Sequence, residues 1–287
     1  MDFSSQLRVK PRSKVTLADR RSKESGNLGK NQAEALLLES VRRMAEVTDK
    51  LYAQKKWALL IILQAMDAAG KDGTIKHVTS GLNPQWCRVY SFGAPSGEEL
   101  DHDYLWRHLK VLPERGSIGI HNRSHYEEVI VTRVHPRVLE FQRIPDETRG
   151  PDLIRRRYKE INRFEKYLVD NGTVVLKFFL HVSKREQWRR LRERYEDPEK
   201  WWKLQPGDMR ERLHWEKYMT AYEEAFQYTS TPWAPWFIIP ADNKWYARLA
   251  VAEIIGETLR TLNLQYPQVS DAMREEWEKA REELRLA

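Results

Sequence analysis

The sequence predicts an α/β fold, a parallel sheet covered by helices, and three observations carry that prediction. Five short apolar runs, at residues 58–63, 89–92, 117–121, 174–180 and 236–239, alternate with segments of helical periodicity. This is the pattern of strands buried on both faces and joined by crossover helices. The first run, Ala58-Leu59-Leu60-Ile61-Ile62-Leu63, leads into Gln64-Ala65-Met66-Asp67-Ala68-Ala69-Gly70-Lys71-Asp72-Gly73, which reads as a phosphate-binding loop opening a helix. The third run passes into Asn122-Arg123-Ser124-His125-Tyr126-Glu127, at a strand end where open α/β sheets place ligands.

Along the chain, residues 1–30 are polar, basic and poor in periodic apolar positions. They are expected to form an extended basic arm, with the folded body starting near Asn31. Leu36, Leu37, Val41, Met44, Val47 and Leu51 then recur at helical spacing ahead of the first strand. The loop after that strand departs twice from the pattern G-x-x-x-x-G-K-[ST]. Ala65 replaces the first glycine, where its methyl group is expected to crowd the backbone, and Asp72 replaces the hydroxyl residue that binds Mg²⁺. Another oxygen must then hold the metal, and Asp67 is the nearest carboxylate. The phosphate cradle itself is expected from the backbone of Ala68, Ala69, Gly70, Asp72 and Gly73 with the Lys71 ammonium.

After the third strand, Asn122 occupies the position where a phosphate-loop kinase usually carries an Asp, and Glu127 or Glu128 is expected to supply the missing charge. Arg123 is the candidate for binding two phosphate oxygens with one planar fork. His121 and His125 are too few for a metal site by themselves. Residues 149–166 carry seven basic against three acidic side chains and read as a helix with a solvated face. Asn171-Gly172 gives that helix a stop, while Ser183 with Glu186 and Asp208 with Glu211 have capping-box spacing. Residues 184–217 are dense in Lys, Arg and Trp. Their tryptophans are expected to pack inward, and their cations, Lys184, Arg189, Lys200 and Lys203 among them, to form a lid that neutralises charge as it closes. The whole describes a P-loop kinase-like parallel sheet flanked by helices, one domain over 31–262 with a helical lid at about 184–217. A charged helix is expected over 263–287, with Met273, Trp277 and Leu284 on one face; it reads either as a subunit contact or as a solvated terminus.

Composition sets outer bounds. With 287 residues and 41% hydrophobic content the chain can bury a real core. No apolar run reaches the roughly 18 residues that span a bilayer, and Arg8, Lys10, Arg12 and Lys14 interrupt any signal-peptide core, so a cytoplasmic location is expected. The single cysteine, Cys87, excludes an intrachain disulfide and reads as a small buried residue. A net charge of +7 points to polyanionic partners without choosing among them.

Several motifs in order resemble the second family of polyphosphate kinases. They are Asp67 to Gly73, Ala94-Pro95 with Glu99 to Arg107, Asn122 to Glu127, Asp197-Pro198-Glu199-Lys200 through Trp202-Lys203 to Asp208, and Ile239 to Lys244 with Arg248. The resemblance covers about residues 10–262. It implies phosphoryl transfer between inorganic polyphosphate and nucleotides, with AMP, ADP and ATP as ligands and Mg²⁺ or Mn²⁺ as cofactor. It also implies that Asp67 holds the metal, Lys71 grips the transferring phosphate and Arg123 stabilises transition-state charge. Asn122, Glu127 and Arg107 would belong to the nucleotide site, and the lid cations would track the polyphosphate chain. The Asn122–Glu127 motif is similar to that of the subgroup acting on both AMP and ADP, whereas Trp245-Tyr246 stands where basic residues are common. A homo-oligomer is expected; a membrane or nucleic-acid partner is not. Two other functions stand as alternatives: an ATP-dependent P-loop kinase of a small metabolite, which the same loop, lid and sheet would serve, and a non-catalytic polyanion or nucleic-acid binder, in which the 149–166 helix and the lid carry affinity and the loop is vestigial.

Overall fold

The computed structural model describes residues 2–286. In chain order the elements are α1 (Phe3–Leu7), α2 (Lys30–Gln54), β1 (Ala58–Ala65), α3 (Lys71–Val78), β2 (Cys87–Ser91), α4 (Trp106–Leu109), β3 (Ile118–Asn122) and α5 (Glu127–Val134). There follow α6 (Leu153–Asp170), β4 (Thr173–His181), α7 (Lys184–Glu196), α8 (Pro206–Glu211), α9 (Trp215–Thr229), β5 (Trp236–Pro240), α10 (Lys244–Thr261) and α11 (Asp271–Leu286). All five strands are parallel, in the order β2-β3-β1-β4-β5. All eight residues of β1 are buried, as a central strand covered on both faces requires.

One helical layer consists of α2, α3 and α10, and the other of α5, α6 and α9. The chain leaves β1 toward β2, skipping over β3, and leaves β3 toward β4 on the far side of β1. The loops after β1 and β3 therefore diverge and open a crevice at their carboxyl ends, which is where this topology binds ligands.

Three expectations change. The folded body begins at Phe3 and not near Asn31. Phe3, Val9, Val15 and Leu17 are buried, and Val9 donates its N–H to Trp236 O at 2.8 Å, so the first residues cover the open edge of β5. Their apolar side chains are single anchors spaced along an extended strap, which no periodicity reveals. The cap expected at Asp208 is absent because α8 starts at Pro206, whose fixed φ suits the first helical position, leaving Asp208 in the first turn. Of the tryptophans at 184–217, Trp215 packs inward, but Trp188, Trp201 and Trp202 are exposed. The segment carrying the last two lies over the crevice and not over the core. Among the described residues no helix is long and apolar enough to cross a membrane.

Candidate active site

The loop after β1 turns on two left-handed residues, Ala68 (φ +61°) and Gly70 (φ +109°). Only glycine takes that region without strain, so Ala68 stores some. Gly70 caps α3, leaving the N–H groups of the first turn, which begins at Lys71, free to face an anion. Ala65 does not crowd the loop. It ends β1 in register with Leu180, and its carbonyl accepts from Lys71 Nζ at 3.1 Å. Burial pushes the Lys71 ammonium below its ordinary pKa, against Asp67, Glu127 and Asp72, which favour the charge.

The second wall comes from β3. Arg123 is left-handed (φ +63°) and donates its N–H to Leu63 O at 3.0 Å, which ties the turn to β1. Its guanidinium meets Asp67 Oδ1 at 2.9 Å. Burial opposes the Arg123 charge, but Glu127 and Asp67 outweigh it and hold the pKa above its ordinary value. Glu127 is raised by burial and held down by Arg123 and Lys71. Asn122 Nδ2 donates to Asp72 Oδ1 (2.8 Å) and Ser91 Oγ (3.2 Å), while Asn122 Oδ1 is buried without a partner. Glu128 faces away and pairs with Arg157 at 3.3 Å, so of the two glutamates only Glu127 adjoins Arg123.

Asp67, Lys71, Asp72, Asn122 and Arg123 border a cleft of about 660 Å³ whose lining holds eight basic and four acidic side chains, and Glu127 stands behind them outside that lining. Lys200 and Lys203 reach it as expected, Lys203 lying 4.6 Å over the Trp202 ring. Lys184 and Arg189 do not. Lys184 pairs with Glu216, and Arg189 is held by Glu186 and Glu193 on the outer face of α7. Arg107 is buried in a neighbouring cavity of about 420 Å³, bonded to Gly93 O and Glu99. Four further cations line the cleft: Arg190 and Arg194 from the expected lid segment, and Lys244 and Arg248, which the sequence offered only as part of a motif with no role assigned.

Arg190 is the most constrained of them. It donates to the carbonyls of Ala68 (3.2 Å), Ala69 (2.6 Å), Ala241 (2.6 Å) and Asp242 (3.0 Å), and through Nε to Glu186 (2.7 Å). Gln187 adds a bond to Asp67 O at 3.0 Å. By holding loop carbonyls outward, this pair turns the loop N–H groups inward. Helical spacing offered a signal, because Gln187, Arg190 and Arg194 share the face of Leu191, the buried leucine of α7, while Arg189 does not.

The sequence model of the family described as polyphosphate kinase 2 (PPK2) matches residues 27–267. The chain belongs to the polyphosphate kinase 2 family. An ADP-polyphosphate phosphotransferase of Rhodopseudomonas palustris is 48% identical over 250 residues, 87% of this chain and 86% of that protein. An AMP/ADP-polyphosphate phosphotransferase of Meiothermus ruber is 46% identical over 244 residues, 85% and 87% of the two chains. The crystal structure of polyphosphate kinase 2 from Arthrobacter aurescens TC1 superposes with a TM-score of 0.87 at 39% identity, covering 96% of each chain.

Beneath the Arg123 turn this polyphosphate kinase 2 family member buries an ion pair. Lys177 and Glu165 are both wholly inaccessible and 2.5 Å apart, and Lys177 also donates to Tyr126 Oη (2.9 Å) and Thr229 O (2.8 Å). Tyr126, three residues after Arg123, donates to Glu165 at 2.8 Å. The turn is thus pinned from below by α6 and β4. His108, His121 and His125 lie beside it, buried with no ring nitrogen at hydrogen-bond distance from a partner, although His125 Nε2 approaches Glu165 Oε1 to 3.7 Å. Burial drives all three below their ordinary pKa, His121 to about 4. Among the described residues no three His, Cys, Asp or Glu side chains form a metal cage. Burial likewise raises the Cys87 thiol to about 11, out of nucleophilic range.

Proposed function

We propose that this chain transfers phosphoryl groups between inorganic polyphosphate and nucleotides, carrying AMP to ADP and ADP to ATP, reversibly and in the cytoplasm. The observation that carries the reading is the run of cations along one cleft: Lys71 and Arg123 at the loop, Lys244 and Arg248 on α10, and Arg194, Lys200 and Lys203 across from them. A nucleoside triphosphate would use only the cations at the loop. A long phosphate chain gives the rest a role. The basic helix α6 supports a nucleic-acid site less well, since Arg157 is buried against Glu128 and Arg156 and Lys166 pair within the helix.

The acceptor's base and ribose suit the 420 Å³ cavity, whose polar floor of Glu128, Gln142 and Arg157 offers donors and acceptors. The terminal phosphate of AMP or ADP is already ionised near neutral pH and needs no strong base. Its oxygen attacks the last phosphorus of the chain, one P–O bond forms as another breaks, and the chain departs one unit shorter. Lys71 and the N–H groups of α3 hold the transferring group, while Arg123 exchanges Asp67 for phosphate oxygens. Oxygen donors at Asp67, Asp72 and the unpartnered Asn122 Oδ1 suit Mg²⁺ or Mn²⁺, which binds through one or two carboxylates together with substrate phosphates. Such a cation would neutralise charge on those phosphates.

Chromatography of nucleotides after incubation with polyphosphate, Mg²⁺ and separately AMP or ADP tests the reading, with Lys71→Ala as control. ADP and ATP formed from AMP, and lost in the control, are expected. ATP from ADP alone would restrict the acceptor. No product, with ATP consumed when small metabolites are supplied, would indicate a conventional kinase instead.

A further inference from the structure

A third cavity, of about 370 Å³, shares no lining residue with the other two. It lies between the N-terminal strap, the end of β5 and the first turn of α10. All its strap residues except Asn27 precede the stretch matched to the family. Leu7, Ile238 and Pro240 give it an apolar side.

Its polar side is rich in donors. Tyr246 is 2% exposed, its ring packed edge-on against Phe3 with 5.7 Å between centroids. The Tyr246 hydroxyl has no hydrogen-bond partner among the described residues, and burial with the nearby Glu24 raises its pKa, so it stays a proton donor. Glu24 is the one carboxylate of the lining, and it is already engaged: it accepts from the N–H groups of Ser25 (3.0 Å) and Gly26 (3.3 Å) and from Arg21 (3.3 Å). Arg20 has no carboxylate partner among the described residues, and Gln6 and Asn27 add carboxamides. A planar guanidinium, a phenol and two amides supply more donors than the two oxygens of a carboxylate accept, and they suit the three oxygens of a phosphate.

The cavity is also tied to the cleft. Ser22 O accepts from Asp242 N–H at 2.9 Å, and Asn243 Nδ2 donates to Glu24 O at 2.7 Å, so the strap segment beside the cavity is bonded to the turn after β5. That turn gives its Ala241 and Asp242 carbonyls to Arg190 and leads into Lys244 and Arg248, both in the cleft. A ligand touching strap and α10 together holds the turn in the arrangement that aligns these cations.

We propose that this cavity is an effector site for a small phosphate monoester: Arg20 and the Tyr246 hydroxyl hold the phosphate, Leu7, Ile238 and Pro240 pack its organic part, and occupancy tightens the hold of the cleft on polyphosphate. The coupling rests on polyphosphate as the ligand of the cleft; the binding in the cavity does not.

Calorimetric titration of the full chain with phenyl phosphate, which pairs a phosphate with an apolar ring and carries no nucleoside, tests the site. One site per chain is expected, retained in Lys71→Ala, weakened about tenfold by Arg20→Ala and about fivefold by Tyr246→Phe, which keeps the ring on Phe3. Inorganic phosphate and benzoate, each lacking half of the ligand, should bind more weakly. Saturating phenyl phosphate should lower the Kd for polyphosphate about fivefold in the parent and leave it unchanged in Arg20→Ala, whereas competition within the cleft would raise it. Binding lost in Lys71→Ala, binding indifferent to Arg20→Ala and Tyr246→Phe, benzoate as tight as phenyl phosphate, or a polyphosphate Kd that rises or stays constant would each overturn the proposal. A parent that binds no polyphosphate would overturn the phosphoryl-transfer reading and the coupling with it, while the titration alone would decide the cavity.

Discussion

Replacing Glu165 by alanine should be among the most damaging changes available outside the cleft. Lys177 Nζ directs its three protons to Glu165, Tyr126 Oη and Thr229 O, all at zero exposure. Without the carboxylate an ammonium remains in the core with two neutral acceptors, and the Tyr126 hydroxyl loses its own acceptor. Stranding one member of a buried pair costs about 3–5 kcal/mol, against about 5–15 kcal/mol for a whole domain. Urea unfolding should register a loss of that size. Glu165→Gln with Lys177→Met leaves no charge behind and should lie within about 2 kcal/mol of the parent. Acid should act in the same direction. Burial alone would raise the Glu165 pKa, but Lys177 and His125 outweigh it and hold the carboxyl below its ordinary value of 4.5. The contribution is therefore complete above pH 4.5 and is lost as pH falls from there through the folded pKa. A Glu165→Ala variant within about 1 kcal/mol of the parent would refute the account of the pair.

Lys71→Ala should cut turnover by about 100- to 1000-fold, as removal of one transition-state donor does, while leaving the unfolding midpoint nearly unchanged. Arg190→Lys keeps the charge but cannot span four carbonyls; a loss of about 1–3 kcal/mol in denaturant melts and a fall in kcat larger than the rise in KM for polyphosphate are expected. His121 stays neutral in the fold down to about pH 4 but protonates at its ordinary 6.5 when unfolded. Stability should therefore decline by about 3 kcal/mol as pH drops through that window, and His121→Phe should flatten the decline in melts at stepped pH. Chelation of divalent metal should abolish product formation, and Mg²⁺ or Mn²⁺ should restore it in the chromatographic assay.

The sheet was legible because its strands are nearly pure apolar runs, and the two loops that matter follow two of them directly. Less visible were residues whose role depends on which way a helix faces. Arg189 and Arg190 are adjacent and chemically identical, yet one is spent on surface carboxylates and the other brackets the phosphate loop. Lys177 did carry a signal, a lysine in the middle of Val174 to Leu180, where a parallel central strand has no path to water. Its partner, Glu165, was hidden among the three acidic residues of a segment whose seven basic ones read as a solvated face. The covering strap at Phe3, Val9 and Leu17 left no signal, since isolated anchors have no period.

The grip of Arg190 on both the phosphate loop and the turn after β5 also bears on motion. Four hydrogen bonds from Arg190 and one from Gln187 to the loops after β1 and β5, with the Ser183 N–H donated to Asp242 Oδ1 at its start, hold α7 to the rigid body. Whatever swings when a substrate arrives must start after Glu196, where Asp197 and Pro198 break the helix, and end before the buried Trp215. A lid confined to that stretch would be short, would carry Lys200, Trp202, Lys203 and Asp208, and would close over arginines held in place. A phosphate chain could slide along those arginines between turnovers without being released.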